Sequence, residues 1–249
     1  MKNFTLVFIA FSLFAISCTH YHYVPNSQNI PAFREKGEVR FVGAKATGDE
    51  YGGLEFQAAY APLKHVAIQA NGFSANGARN QNSVERGRGI FGEAALGTWW
   101  LVGKNGVAEA YYGYGGGNVS NTRPGPPNAE NEVRKYDFER GFLQTSYTIR
   151  NRLIEYSISN RVCGLRYRNL RINGDHIAGT NQGWFYVEEP CIGLSSGTAR
   201  FKIGAFLTRS FVLTPTILEA ENFNFSISIN YRLGGKKQWA KEKPAKSSL

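Results

Sequence analysis

Nine ionisable residues stand at mid-segment positions where acid–base or anion chemistry could be built: Arg40, Glu55, Glu93, Glu109, Arg140, Glu155, Arg161, Arg200 and Lys202. A pair of glutamates could pass a proton between them, and an arginine could hold an anion with its forked donors. Charges enclosed in a narrow interior persist only when they neutralise one another. The set is therefore expected to be a lumen charge network without a catalytic role. Cys163 and Cys191 lie on consecutive segments joined by a connection centred near Ile177, which would set them opposite each other in an antiparallel pair. Opposed Cα atoms lie about 4.5–5.5 Å apart, within the roughly 4.4–6.8 Å of a disulfide, so a structural bridge is expected in an oxidising compartment. Asp175-His176 is the one adjacent acid–histidine pair, and a loop Gly-Asp-His is equally a turn. His20 and His22 form an H-x-H in a polar stretch, and His65 begins a segment beside a turn. Metal-ligand spacing, a phosphate-binding glycine loop and a Ser/His/Asp order are not evident, so no metal and no cofactor are expected.

The elements that must position these residues are strands. Residues 223–233 read FNFSISINYRL, with Phe223, Phe225, Ile227, Ile229, Tyr231 and Leu233 on one face and Asn224, Ser226, Ser228, Asn230 and Arg232 on the other. A period of two over this length is a strand with one apolar and one polar face. It is longer than the usual soluble strand of about 5–6 residues and matches the roughly 9–11 residues that cross a bilayer. Similar segments recur at 38–46, 53–61, 65–75, 89–102, 107–117, 137–149, 153–170, 184–195 and 199–213. Tight turns (62–64, 103–106, 150–152, 196–197) alternate with longer polar links (47–52, 76–88, 118–136, 171–183, 214–222). Short turns on one side and long loops on the other are the pattern of an outer-membrane barrel. The fold class expected is all-β: a closed antiparallel up-and-down transmembrane β-barrel of about ten strands, with eight as the smaller alternative.

The polar faces must point inward in such a barrel, because Arg200 or Lys202 turned to lipid would each cost about 2–4 kcal/mol near the midplane. A soluble lipocalin-like barrel inverts the faces. Strand length, one-sided loops and aromatics near segment ends (Trp99, Trp100, Trp184, Tyr186) favour the membrane version.

At the N-terminus, Lys2 precedes an apolar run from Phe4 to Ile16 and a small residue, Ser17, before Cys18. This is an export signal over 1–17. Phe14-Ala15-Ile16-Ser17-Cys18 resembles a bacterial lipobox, with Ala15 where Leu is usual, and the resemblance implies acylation (palmitate) at Cys18. Residues 18–36, rich in Pro, Asn and polar side chains, are expected to be a periplasmic tether. The barrel is expected over 37–234 and a disordered basic tail over 235–249. The net charge is +10. Nucleic acid is excluded as a partner of an exported chain, and outer-membrane lipids with phosphate groups, lipopolysaccharide above all, become the acidic neighbours. Arg79, Arg86, Arg88, Arg123, Arg134, Lys135, Arg166, Arg168 and Arg171 fall on the loop side.

Tyr23-Val24-Pro25-Asn26, Ile30-Pro31, Glu35-Lys36-Gly37-Glu38, Gln57-Ala58-Ala59-Tyr60-Ala61 and the closing strand resemble outer-membrane β-barrel lipoproteins of Bacteroidota. The resemblance names no activity. An even strand number puts both ends of the barrel, and with them Cys18, on the periplasmic side, so a monomer of the cell outer membrane with a lipid-anchored N-terminus on that side is expected. The leading expectation is a non-enzymatic structural or surface-interaction protein of the envelope whose protein partner is unknown. A small pore or solute channel is the first alternative, and a hydrolase at the outer rim using Asp175 and His176 is the second.

Overall fold

The structure is a computed structural model that describes residues 23–49, 51–78, 86–125, 130–176, 183–214 and 221–234. The export signal, Cys18, His20, His22, Arg79 and the tail from 235 lie outside the described residues. Among the described residues twelve strands form one sheet: β1 (Val39–Thr47), β2 (Tyr51–Leu63), β3 (Val66–Ala78), β4 (Arg86–Val102), β5 (Gly106–Arg123), β6 (Glu132–Arg150), β7 (Ile154–Ile172), β8 (Asp175–His176), β9 (Phe185–Gly197), β10 (Phe201–Arg209), β11 (Phe211–Val212) and β12 (Phe223–Leu233). β8 and β11 are two-residue extensions, and the other ten make the wall. Each pairs antiparallel with its neighbours, and β12 pairs with β1 to close the barrel.

Closure follows from the period of the strands. On β12 Phe225, Ile227, Ile229 and Tyr231 are exposed, whereas Asn224, Ser226, Ser228, Asn230 and Arg232 are buried. Ten rises of about 3.3 Å separate Phe223 from Leu233, and a tilt of about 40° turns that length into an apolar band of about 25 Å, the height of an outer-membrane barrel's lipid face. Exposed aromatics border the band: Phe41, Tyr60, Trp100, Phe201 and Tyr231 towards the tight turns, and Tyr114, Trp184, Tyr186 and Phe211 towards the loops. Trp99 departs from the expected set of interface aromatics. It is buried, because β4 carries Phe91, Glu93 and Ala95 on the same inward phase.

The tight turns all lie at one end of the barrel and the long connections at the other. Asn151 shows how a turn is fixed: its side-chain oxygen accepts the Leu153 and Ile154 amides at 2.9 and 2.7 Å. At the loop end β7 and β8 are joined by Asn173-Gly174, with φ of 51° and 98°, a pair that favours the tight hairpin turn with two left-handed residues.

β7 runs on to Ile172, and the β7–β9 register is centred on residue 175 rather than 177. Cys163 therefore faces Val187, and Cys191 faces Ser159. The expected disulfide does not form: both thiols are free and buried. A four-residue stagger corresponds to about 13 Å along the strands, beyond any bridge.

Candidate functional site

The interior is where polar chemistry collects, and the first thing it holds is the chain's own N-terminal segment. The tether expected over 18–36 is corrected for its described part. Residues 23–33 run without regular structure through the lumen and are buried or nearly so. Tyr23 lies at the loop end, where its carbonyl accepts the Glu221 amide at 2.8 Å, and it packs with Ala46, Phe73, Phe91, Phe138 and Tyr167. Phe33 lies towards the turns, against Ala61, Ala67 and Trp99. Arg34 then reaches the carbonyls of Lys104 and Arg150, and Gly37 donates to Ala61, where β1 begins.

A segment with no ladder must satisfy its peptide groups by other means, and here the wall's side chains do so. Glu55 accepts the Ser27 amide at 2.9 Å, and Glu109 accepts those of Ala32 and Phe33 at 2.9 and 3.2 Å. The carbonyl of Pro25 takes a hydrogen bond from Asn224, that of Asn26 from Arg161, that of Ser27 from Gln57, that of Asn29 from Gln144 and that of Ala32 from Arg150. Side chains add to this: Asn29 donates to Asn71 at 2.8 Å, and the Ser27 and Ser226 hydroxyls meet at 2.5 Å. Ala32 is held at φ 52°, a left-handed conformation that costs a non-glycine residue about 1–2 kcal/mol. The carboxylate and guanidinium on its two peptide groups offset that cost.

The ionisable residues form two clusters around this plug. Towards the loops, Arg140 is ion-paired with Glu93, Arg161 binds Glu189 at 2.6 Å and reaches Glu93 at 3.7 Å, and both guanidinium groups donate to Asn26 Oδ1. Tyr23 closes the cluster, donating to Glu189 at 2.7 Å and accepting from Arg140 at 2.6 Å. Arg140 also lies over the Phe91 ring, 4.6 Å from its centroid. Towards the turns, Arg150 and Arg232 each bridge Glu38 and Glu155 at 3.1–3.5 Å. Arg40 bonds Asn230, and Lys202 donates to the Arg152 carbonyl at 3.3 Å.

Eight of the nine expected lumen residues thus face inward. Arg200 does not: it is exposed in the turn before β10, which the Thr198–Phe201 hydrogen bonds close. Glu38, Arg150, Glu189 and Arg232 belong to the network and are absent from the expected set. Glu38 and Arg150 sit at the ends of strands, where alternation fades. Glu189 precedes a proline in β9, whose pattern is irregular. Arg232 lies on the polar face of β12, so its alternation could have found it.

Acid–base catalysis has little to work with here. Glu93, Glu155 and Glu189 are bound by guanidinium groups, and Glu55 and Glu109 by plug amides. Among the described residues no group of His, Cys, Asp and Glu could hold a metal. Asp175 and His176 form β8, in register with Ile172 and Arg171, and Asp175 is exposed. His65 hydrogen-bonds the Trp99 carbonyl at 2.7 Å through Nδ1.

No family model matches the chain, and no curated protein does. Among solved structures the chain is similar to the translocator domain of autotransporter NalP from Neisseria meningitidis, with a TM-score of 0.54 and 10% identity over 81% of this chain and 89% of that one. At that identity the likeness concerns the fold alone, a closed antiparallel β-barrel of the outer-membrane kind.

Proposed function

We propose that this chain is an outer-membrane β-barrel lipoprotein with a structural or surface-interaction role, whose lumen is sealed by its own N-terminal segment and carries out no reaction. The observation that supports the reading is the course of residues 23–33, along which wall side chains occupy the plug's peptide groups from Pro25 to Phe33. An open channel would need water where these hydrogen bonds are.

The same course bears on the anchor. Cys18 precedes Tyr23 by five residues, which span at most about 18 Å, and Tyr23 sits at the loop end of a filled lumen. An acyl group on Cys18 would therefore enter the leaflet on the loop side. This reading differs from the periplasmic anchor expected from the even strand number. If the tight turns face the periplasm, as is usual for such barrels, the anchored N-terminus is at the cell surface.

Two measurements test the reading. In a planar bilayer the protein should show no conductance above background. Ser27→Cys with Ser226→Cys should crosslink the plug to β12, and steps that appear on reduction of that bond would favour the pore. An epitope placed between Cys18 and Tyr23 should be labelled on intact cells, with palmitate incorporation lost in Cys18→Ala. Labelling only after permeabilisation would sink the surface anchor.

A further inference from the structure

The wall extends on one side beyond the lipid band, because β4 to β7 run 17–19 residues while β1 and β10 have nine. The outward face of this extension carries one row of paired positions: Asn76 on β3 opposes Arg88, Arg88 opposes Ser120, Ser120 opposes Lys135, and Lys135 opposes Arg171. Opposed residues share a face of the sheet, and Lys135 points outward because its neighbour Tyr136 is buried inside. Arg171 joins the row through a local irregularity. Strict alternation from the buried Leu165 and Tyr167 would turn residue 171 into the lumen. A register shift in the β6–β7 ladder, with Asn169 at φ 55°, brings Arg171 to the outer face instead.

These residues line a groove of about 660 Å³ on the outer surface, within the size range of small-molecule sites. Its cations have no acid bound to them among the described residues. Arg166 and Arg168 nearby are paired with Glu139 at 2.7 and 3.0 Å. Arg88, Lys135 and Arg171 make no hydrogen bond or ion pair among the described residues. Among the described lining residues the one acid, Asp137, accepts from Asn169 at 2.9 Å. Towards the lipid band the same strands show Gly92 and Gly116 and then the exposed Tyr114, a low surface on which an acyl chain can lie.

We infer that Arg88, Lys135 and Arg171, with Ser120 and Asn76 as neutral donors, bind the phosphate groups of a phosphorylated glycolipid in the loop-side leaflet. Guanidinium and ammonium groups on adjacent strands match phosphate oxygens in charge and in hydrogen-bond number. A surface facing sideways above the lipid band meets lipid headgroups before it meets a soluble partner. The inference rests on the reading of the chain as a membrane barrel with its loops outward, and it names the lipid class that this side would hold.

The test uses the full chain in detergent micelles, titrated with bis-phosphorylated lipid A, with the same lipid after phosphatase treatment, and with inorganic phosphate, read by native mass spectrometry. The bis-phosphorylated lipid should be retained at least about tenfold more tightly than the dephosphorylated one. That preference should vanish in the triple variant R88Q/K135Q/R171Q and persist in R166Q/R168Q, both checked for the unboiled mobility of a closed barrel. Equal retention of both lipids, an unchanged triple variant, or binding of inorganic phosphate alone would overturn the site. A water-soluble protein would instead overturn the barrel reading on which it rests.

Discussion

At the residue scale the interior is governed by the cost of an unpaired charge. Arg161 serves Glu189, Glu93 and two oxygens of Asn26 while fully buried. Arg161→Ala would strand Glu189 and free the plug near its midpoint. Breaking a buried pair from one side costs about 3–5 kcal/mol, and a loss of that size is expected in urea unfolding followed by gel mobility. Arg200→Ala is the matched control, since an exposed turn residue should move stability by no more than about 0.5 kcal/mol. The cysteines give a second check. With both thiols free and buried, reductant should leave mobility unchanged, and alkylation should proceed only after unfolding. A reductant-dependent shift would restore the disulfide.

At the element scale the decisive feature of each strand is which face meets lipid. Ile227 lies near the middle of β12 and is exposed, flanked by the buried Ser226 and Ser228. Ile227→Lys should cost about 2–4 kcal/mol of barrel stability in lipid vesicles. A neutral result would mean that this face does not meet hydrocarbon. The Asn173-Gly174 turn ends β7 and folds Asp175 and His176 back on Ile172 and Arg171. Gly174→Val places a branched side chain at φ 98° and should destabilise the hairpin by about 1–2 kcal/mol, seen as faster amide exchange in β7 and β8.

At the scale of the whole molecule the barrel and its plug form one hydrogen-bonded unit. Ser27 reaches Glu55, 28 residues away, and Ser226, 199 residues away, so the wall from its first strands to its last closes on the segment that precedes it. Removing residues 23–33 would leave Glu55, Glu109, Arg150 and Arg161 facing water in an emptied lumen. The truncated protein, if inserted, should conduct ions where the intact chain does not. Conductance steps in a planar bilayer check this, and a silent truncated barrel would mean that wall side chains alone close the pore.

The sequence by itself determined the wall: ten long strands, tight turns at one end, an apolar face outward and a charged one inward. These are legible because strand periodicity is local and repeats every two residues, so FNFSISINYRL announces both faces without reference to any partner. Arg40, Glu55, Glu93, Glu109, Arg140, Glu155, Arg161 and Lys202 could be placed inside for the same reason. The tertiary structure alone decided the plug, the free cysteines and the outer basic row. Residues 24–33 have no period to read, and their peptide groups find partners only once the wall has closed around them. The cysteine register depends on a hairpin centre two residues from the symmetric one, and the position of Arg171 depends on one irregular pairing in β7. Local pattern fixes which face a residue takes, whereas long-range pairing fixes which residue it meets.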